Sequence, residues 1–556
     1  MKTKLASLFM ASLMLAAAFT GCGQKAAEIS SSTPSAESQA AEEAKPGDLP
    51  ISKEKIELSV FYPGDSSFLS YDQNAVTKWL EDQTNIHLNF VDATVENAVD
   101  KRNLLLNSGD YPDVFLTGWY DNFTANDIYK YGVDQKVLIP LTDYYKKWGT
   151  NISKVFERYP GIEKDMTMSD GNIYGISLPQ RPFHGMEQAG KLFINTAWLE
   201  KLGLKMPTNT DEFKAVLQAF KDKDPNGNGK QDEIPMSGCQ SWNSYPEMML
   251  MNSFAYYTPD NPLYYENDSW TMEVYQPGFK EGVKYVADLV AEGLIDKASW
   301  TQNADQLKAQ VDVDTPTVGS YNGGHMYIPL NMGSERAKDY DIVAPTLTGP
   351  DGYSGVPWSG TVTVTGYNAA ITDKCKYPEE AFRWLDFCAG DEASLNIMWG
   401  MKGEIWDDVQ AGDKNMFDEP AEFHLIRYYN DDDKYIRWGN GFAQNDMNTR
   451  FSAPTDIFSK EGAEKRIALS SKSYEPNKVE KSPKFVISQD IGEQRAIIIT
   501  NVNNYINQNL VEFFVGKKSV DKDWDAFLKG LDGLQVKELV DMTNKAYQEY
   551  KAARGE

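Results

Sequence analysis

Cysteine and histidine are scarce in this chain: its 556 residues include four of each. The cysteines (Cys22, Cys239, Cys375 and Cys388) show no CxxC spacing and the histidines are scattered, so the sequence gives no support to a zinc site. If the protein is exported, Cys375 and Cys388 are free to form a disulfide. The apolar helical pattern around Cys388 is equally compatible with a buried free thiol.

Motifs of several enzyme classes are also missing. The chain contains no HExxH, GxSxG, GxxxxGK[ST] or GxGxxG pattern, which excludes the metalloprotease, nucleophile-elbow, P-loop and dinucleotide-binding signatures. The net charge of -26, without a basic patch, opposes nucleic-acid binding. With 81 acidic residues, a pair of carboxylates can be found in any part of the chain, so their number is no evidence for glycoside hydrolysis.

The N-terminus carries the clearest positive signal. Lys2 and Lys4 precede an apolar stretch from Leu5 to Phe19, and Thr20-Gly21-Cys22 follows. This order is typical of a secretory signal, here residues 1–21, and its end resembles a bacterial lipobox, which implies cleavage before Cys22 and lipidation of that thiol, for example with palmitate. Residues 22–50 are rich in Ala, Ser and Glu and predict a disordered tether. No later segment has the ~18 consecutive apolar residues of a membrane-spanning helix.

The rest of the chain alternates between strand and helix patterns. Ile56 to Tyr62 and Ile86 to Val91 alternate as strands do, residues 75–80 and 95–105 have helical spacing, and residues 112–116 read as a third strand. This order predicts an α/β lobe with a largely parallel sheet. A helix over Phe213 to Phe220, capped by Thr208 or Thr210, a helix opened by Pro378 and a C-terminal helix are also expected. A chain of this length predicts more than one lobe.

One acidic loop matches the start of a calcium-binding EF-hand. Oxygen-bearing side chains occupy alternate positions, a glycine allows the tight turn, and a backbone carbonyl is available at the next position. Calcium prefers six to eight such oxygen ligands. The expected donors are Asp224, Asn226, Asn228, the Lys230 carbonyl, Asp232 and Glu233. Pro235 stands where an EF-hand has its last glutamate, so Glu233 is the expected substitute and the site is expected to be structural.

A wider resemblance joins these pieces. The stretch from Leu192 to Leu204, Pro207-Thr208 and the loop from Asp224 to Pro235 resemble extracellular solute-binding lipoproteins of carbohydrate ABC importers, in particular the subgroup with the alginate-oligosaccharide-binding proteins. The resemblance implies an α/β, type II periplasmic-binding-protein-like fold with two hinged lobes and a ligand cleft between them. We expect one lobe from residues 51–185 and 340–395, and the other from 186–339 and 396–556. The resemblance also implies a structural calcium ion, an ABC permease as partner and a lipid anchor on the outer face of the membrane. It further implies a monomer that catalyses no reaction.

The resemblance implies an oligosaccharide as the ligand, and aromatic plates and polar side chains recognise sugar rings. Core packing is the alternative role for each of these aromatic residues. The candidates are Asp65, Trp119, Tyr120, Asp121, Arg181, Trp242, Tyr321, Trp358, Trp399 and Trp438. A peptide-binding ABC lipoprotein and a secreted glycoside-acting enzyme remain alternatives.

Overall fold

The computed structural model describes residues 44–64, 71–94, 97–117, 123–159, 161–168, 170–178, 190–241, 243–331, 334–358, 364, 366–428, 431–439, 442–444, 449–459, 462–483, 485, 487 and 489–554. The strands are β1 (Ile56–Gly64), β2 (Ile86–Thr94), β3 (Val114–Leu116), β4 (Gly175–Ile176), β5 (Lys191–Asn195), β6 (Leu263–Glu266), β7 (Ser269–Met272), β8 (Ser320–Gly323), β9 (Tyr340–Ile342), β10 (Val356–Pro357), β11 (Ala369–Ile371), β12 (Trp406–Asp408), β13 (Phe423–Leu425) and β14 (Lys478–Val479).

The helices are α1 (Ala75–Thr84), α2 (Ala98–Ser108), α3 (Ala125–Ile128), α4 (Thr142–Trp148), α5 (Asn151–Arg158), α6 (Ile162–Met166), α7 (Thr196–Leu202), α8 (Thr210–Asp222), α9 (Met248–Met251), α10 (Phe279–Ala291), α11 (Ala304–Val311), α12 (Pro378–Cys388), α13 (Asp391–Met398), α14 (Ala463–Ser471), α15 (Gln489–Phe514), α16 (Val520–Leu531) and α17 (Val536–Arg554). None of the helices in the described ranges is long and apolar enough to cross a membrane.

A five-stranded sheet has the order β2-β1-β3-β11-β4. β1 pairs in parallel with β2 and β3, while β11 runs antiparallel to β3 and β4. The predicted strand-helix-strand-helix-strand order and the parallel pairing are therefore confirmed. The last five residues of β1 are all buried, as expected for a strand that is covered on both faces of the sheet.

A second, three-stranded sheet is antiparallel throughout, with the order β8-β5-β9. All five residues of β5 are buried. α10 packs against α9, α15 and α16, and the C-terminal helix α17 packs on α15 and β7. The helices expected at Phe213, at Pro378 and at the C-terminus are present as α8, α12 and α17.

The apolar side chains form two large, separate cores. The first core takes its residues from 51–178, 364–398 and 438–443, and the second from 192–356 and 467–539. Within the described residues the chain passes between the cores three times: after Leu178, after Val356 and after Ala443. We call the stretches 179–191, 357–363 and 444–466 the crossing segments.

Two segments differ from the lobe boundaries expected from the sequence. Tyr340 to Val356 lie in the second core rather than with residues 51–185, because β9 completes the sheet around β5. Trp438 and Phe442 lie in the first core, although residues 396–556 were all assigned to the other lobe. The crossing near residue 340 therefore lies after Val356, and the chain returns to the first core once more.

Local contacts also refine the cap of α8. Its N-cap is Asn209, between the two threonines that were expected, and the Asn209 side-chain oxygen accepts the Glu212 N–H at 2.9 Å. Thr208 donates its N–H and its hydroxyl to the Glu212 carboxylate, each at 2.9 Å.

The three described cysteines are buried free thiols, so Cys375 and Cys388 are not bridged.

Candidate functional site

The carboxyl ends of β1, β2 and β3 meet at one edge of the first sheet, because the three strands run parallel. Ligands of open α/β sheets bind at this edge. The candidates Asp65, Trp119, Tyr120 and Asp121 follow β1 and β3 in the sequence. These four residues, together with Arg181 and Trp242, lie outside the described residues.

An aromatic cluster covers part of this sheet edge. The Trp438 ring lies 5.3 Å from the Tyr62 ring and 5.7 Å from the Phe90 ring, measured between centroids. The Trp438 indole N–H donates to the Thr77 hydroxyl at 3.0 Å, and only 1% of the residue is exposed. The structure therefore places this candidate in the first core, where its ring offers no face to a ligand.

Asn74 fixes the segment that carries Trp438. Its side-chain oxygen caps α1 by accepting the Val76 N–H at 2.9 Å. Its side-chain amide donates to the carbonyls of Lys434 and Arg437, at 3.2 and 2.8 Å. One buried side chain thus ties residues 434–438 to the first turn of α1.

The structure brings Trp399 and Trp438 to neighbouring positions. The Trp438 N–H donates to the Ile397 carbonyl at 3.0 Å, two residues before Trp399. Trp399 is half-buried, and its ring lies 5.1 Å from that of Phe451 and 6.2 Å from that of Tyr428. Among the described candidates, Trp399 therefore combines an exposed part of the ring with a position beside the first core.

The last two described candidates lie elsewhere. Trp358 is half-buried next to the β10–β14 pair, and the Lys478 ammonium lies over its ring at 3.4 Å from the centroid. Tyr321 is fully buried in the second core, with its ring stacked on Phe193 at 5.0 Å. Burial also raises the pKa of the Tyr321 phenol well above its usual value. Tyr321 thus has no surface for a ligand in this conformation.

Sequence reasoning missed a group of polar side chains at the base of the second sheet. Lys191 begins β5 and is fully buried, and its ammonium donates to the Gly324 carbonyl at 2.9 Å. His325 is 1% exposed and lies 3.2 Å from the carboxylate of Glu464 on α14. Lys191 stands directly before the apolar run Leu-Phe-Ile, and that position was the only sequence signal.

The acidic loop folds around the carboxylate of Asp224. Its two oxygens accept the N–H groups of Gly227, Asn228 and Gly229 at 2.7 to 3.1 Å. These hydrogen bonds, that of Gly229 first, hold the pKa of Asp224 below its usual value. The positive φ angles of Gly227 and Gly229, 78° and 74°, permit the tight turn.

Asp232 and Glu233 complete the loop. The side-chain amides of Asn226 and Asn228 donate to the Asp232 carboxylate at 3.0 to 3.1 Å and lower its pKa. Both Glu233 carboxylate oxygens are shielded from solvent without a hydrogen-bond partner, and this burial raises the Glu233 pKa.

The donors of this loop fit a hard cation, because all of them are oxygens and the shielded carboxylate oxygens of the half-buried Glu233 accept no hydrogen bond. Here the Asn226 and Asn228 amides close the loop on Asp232. In the described part of the chain, no three His, Cys, Asp or Glu side chains are arranged as a ready-made metal site. Cation binding would therefore need a rearrangement of these amide contacts.

Comparison with known proteins identifies the family. The family described as bacterial extracellular solute-binding protein matches residues 65–394, more than half of the chain. The fructooligosaccharide ABC transporter substrate-binding protein FusA of Streptococcus pneumoniae serotype 4 is 27% identical over 500 residues, which cover 86% of this chain and 88% of FusA. Lipoprotein LipO of Bacillus subtilis is 27% identical over 327 residues, 55% of this chain and 59% of LipO.

Solved structures show the same fold. A FusA EF-hand mutant in complex with fructo-nystose superimposes with a TM-score of 0.71 at 23% identity, covering 89% of this chain and 99% of FusA. The alginate-binding protein AlgQ2 without calcium ion gives a TM-score of 0.61 at 22% identity, covering 90% of this chain and 99% of AlgQ2. The fold is thus type II periplasmic-binding-protein-like, and the chain belongs to the bacterial extracellular solute-binding protein family.

Proposed function

We propose that this protein is the ligand-capturing subunit of an ABC importer and that its ligand is an oligosaccharide. The observation that carries the proposal is the similarity to FusA, a fructooligosaccharide-binding ABC transporter protein, over nearly the full length of both chains. In such capture the two cores would be the moving lobes, and the crossing segments would be the connections between them. None of the described contacts favours the peptide-binding or the enzymatic alternative.

Capture would follow from a movement of the two cores. A ligand that contacts both cores binds the closed arrangement more tightly than the open one, and so shifts the equilibrium towards closure. The permease would then recognise the closed form. No bond in the ligand is made or broken, so a bound sugar is expected to be recovered chemically unchanged.

A thermal-shift screen tests the ligand class directly. The panel contains kestose and nystose, neutral and acidic oligosaccharides of other linkages, and short peptides. A true ligand at a hundredfold excess over its Kd stabilises the protein by about 2.7 kcal/mol through mass action, and so raises Tm. Stabilisation by peptides alone, or cleavage of a stabilising sugar detected by chromatography, would refute the proposal.

Trp399 provides the matched test at residue level. Its half-buried ring beside Tyr428 is the best placed of the described candidates to stack on a sugar. Trp399→Ala is expected to reduce sugar affinity by up to about tenfold, since a stacked ring contributes on the order of 0.5–1.5 kcal/mol. Trp79→Ala is the control, because Trp79 is also half-buried but stacks on Phe387 of the first core, 5.6 Å away. Equal losses in both variants would show that Trp399 acts through packing.

We also propose that the loop from Asp224 to Glu233 holds a structural calcium ion. The oxygen donors and the unpartnered Glu233 carboxylate support this proposal, as does the EF-hand named for the related FusA. Calcium would cross-link the turn after α8 and neutralise acids that otherwise repel one another. EDTA is then expected to lower Tm and added calcium to restore it; an unchanged Tm would end this proposal.

The N-terminal pattern supports attachment to the membrane through a lipid on Cys22, after removal of residues 1–21. The related LipO is named a lipoprotein. One lipid chain binds only weakly, so stable attachment requires multiple acylation of this cysteine. Cys22→Ser is expected to release the protein into the medium. Retention of that variant in the membrane fraction would contradict the anchor.

A further inference from the structure

A pair of helices in the second core reaches across to the first core. α15 packs against α17, and Arg495 of α15 donates to the buried Thr543 hydroxyl of α17 at 2.9 Å. At the first core, α15 contacts α3, and the Tyr550 hydroxyl on α17 donates to the Asp165 carboxylate on α6 at 3.3 Å. We call α15 and α17 the helix pair. Its contacts with α3 and α6 join residues of different cores directly.

Tyr367 connects the two points of the first core that the helix pair contacts. The Tyr367 backbone pairs with that of Phe123, just before α3, through N–H···O distances of 2.9 and 3.1 Å. The Tyr367 hydroxyl donates to the Asp165 carbonyl on α6 at 3.3 Å. Both aromatic residues are fully buried, and a capping box of Thr124 and Asp127 fixes the start of α3. The helix pair therefore meets a firmly held surface of the first core.

Gly492, the fourth residue of α15, lies against Asn126 of α3. A methyl group built on Gly492 would stand 3.0 Å from Asn126 Nδ2, below the roughly 3.5–4.0 Å of optimal contact between carbon atoms. Glycine within a helix lowers stability relative to alanine, because it loses more backbone freedom on folding. The close approach of α15 to α3 gives a physical reason for glycine here, since a large side chain would have to displace α3 or its asparagine.

This contact lies near the edge of the first sheet where a ligand is expected. α3 follows β3 along the chain, and the carboxyl end of β3 belongs to the edge at which open α/β sheets bind ligands. A ligand that is held from both sides needs the two cores close together. A contact that limits their approach at this place therefore affects how tightly both cores can enclose a ligand.

We propose that the contact of the helix pair with α3 and α6 is the stop that sets how closely the two cores approach one another. Gly492 is the position that allows this approach, because it adds no side chain between α15 and α3. The stop thereby sets ligand affinity without touching the ligand. This inference rests on the movement of the cores in the proposed function but not on the identity of the ligand.

Spin labels on the two cores test the stop without any sugar. Leu104 on α2 and Ile497 on α15 are 67% and 66% exposed, and the described native thiols are buried. Cysteines introduced at these two positions are therefore labelled selectively in protein that also carries Cys22→Ser. Gly492→Phe is expected to shift the distribution of label distances to longer values, because the ring wedges α15 away from α3. A distribution equal to that of the parent protein overturns the proposal.

Control variants separate the stop from a general effect of substitution. Gly492→Ala is expected to keep the parent distribution, since the Asn126 amide ends a flexible side chain and yields to one methyl group. Ala496→Phe, one turn along α15 at an exposed position, is the matched control and should keep it as well. Asn126→Ala added to Gly492→Phe makes room for the ring and should return the distribution towards that of the parent. An equal shift in Ala496→Phe, or no recovery in the double variant, refutes the proposal.

Should Gly492→Phe fail to fold, a cross-link between the cores decides the question. The methyl position at Gly492 lies 3.0 Å from the Asn126 side-chain amide, so cysteines at these two positions bring their sulfurs within reach of a disulfide. Under a mild oxidant, mass spectrometry is expected to find the disulfide-linked peptides of Asn126→Cys with Gly492→Cys. Thr500→Cys, two turns further along α15, is the control partner and should give none. The absence of the first cross-link overturns the proposal.

Sugar binding provides a separate readout of the stop. For a sugar that the thermal-shift screen identifies, Gly492→Phe is expected to weaken binding by about tenfold or more, within the usual range of coupling between distant sites, while Ala496→Phe keeps the parent affinity. Unchanged affinity in Gly492→Phe would contradict the role of the stop in binding. Failure of every sugar to bind would refute the proposed ligand class and leave the distance measurements intact.

Discussion

Replacing Glu247 with glutamine should stabilise the protein above neutral pH and have little effect in acid. Glu247 is 4% exposed in the second core. Its two carboxylate oxygens accept the Trp300 indole N–H at 3.0 Å and the Tyr257 hydroxyl at 3.3 Å. Burial raises the Glu247 pKa to about 7, although both donors favour the charged form.

The sign and size of the effect follow from proton linkage. The unfolded chain releases this proton near pH 4.5 and the folded chain near pH 7, so between these values the unfolded state binds fewer protons. The contribution of Glu247 to folding is therefore fully favourable below pH 4.5 and is lost as the pH rises to about 7. A shift from 4.5 to about 7 corresponds to roughly 3.4 kcal/mol.

Glutamine keeps the shape of the side chain and both hydrogen bonds. Its carbonyl oxygen accepts the Trp300 N–H, and its amide donates to the Tyr257 hydroxyl, which can also act as an acceptor. The Tm of Glu247→Gln minus that of wild type is therefore expected to increase from pH 4.5 to 7.5 and then level off. Met249→Leu, in the same buried segment, is the control: it retains the carboxyl group and should differ from wild type by a constant amount. A constant difference for Glu247→Gln would refute the reasoning.

Two further predictions concern contacts that single substitutions remove. Tyr550→Phe deletes the hydrogen bond at 3.3 Å from α17 to the buried Asp165 on α6, which links helices of the two cores. This change should weaken the contact between the cores by about 1 kcal/mol and lower Tm; an unchanged Tm would show that the hydrogen bond does not contribute to stability. Glu233→Gln should raise Tm in EDTA, because it removes a shielded charge, and weaken calcium binding by roughly tenfold in calorimetric titration. The same Tm change with and without calcium would contradict the assignment of Glu233 as a ligand.

Periodicity predicted the first sheet well because helices such as α1 bury one apolar face and the start of β1 alternates between buried and more exposed residues. The elements from β1 to β3 appear in the predicted order, and β1 has a continuous buried run at its carboxyl end. Three tryptophans lie in apolar patterns of helical spacing, which predict core positions: Trp198 and Trp384 are 3% and 0% exposed, whereas Trp79 is only half-buried. The lobe boundaries were less predictable, because β9 joins β5 through pairing across more than a hundred residues, which no local pattern records.

The ligand candidates illustrate the same limit. Tyr321 follows an apolar segment, and Trp399 and Trp438 lie in glycine-rich surroundings. These contexts do not show which ring is buried; only the neighbours of each ring in the structure do. Tyr321 stacks on Phe193 across the β5–β8 pair, and the Trp438 indole donates to Thr77, more than three hundred residues away in the sequence. A tryptophan therefore gives the same sequence signal whether its ring packs in the core or stacks on a ligand, since both roles use a large apolar surface.

Buried ionisable side chains were the least predictable feature of the structure. They also make the stability of the second core depend on pH. A lysine or glutamate in a sequence predicts an exposed position, because burial of an unpaired charge is costly. The partners that make the burial of Lys191 and His325 tolerable are 133 and 139 residues away. Since the second core holds ionisable groups whose pKa lies near 7, Lys191 and Glu247, its packing energy changes with pH in the physiological range. An apolar core of the same shape would have no such dependence, so the stability of this protein is expected to differ between acidic and neutral surroundings.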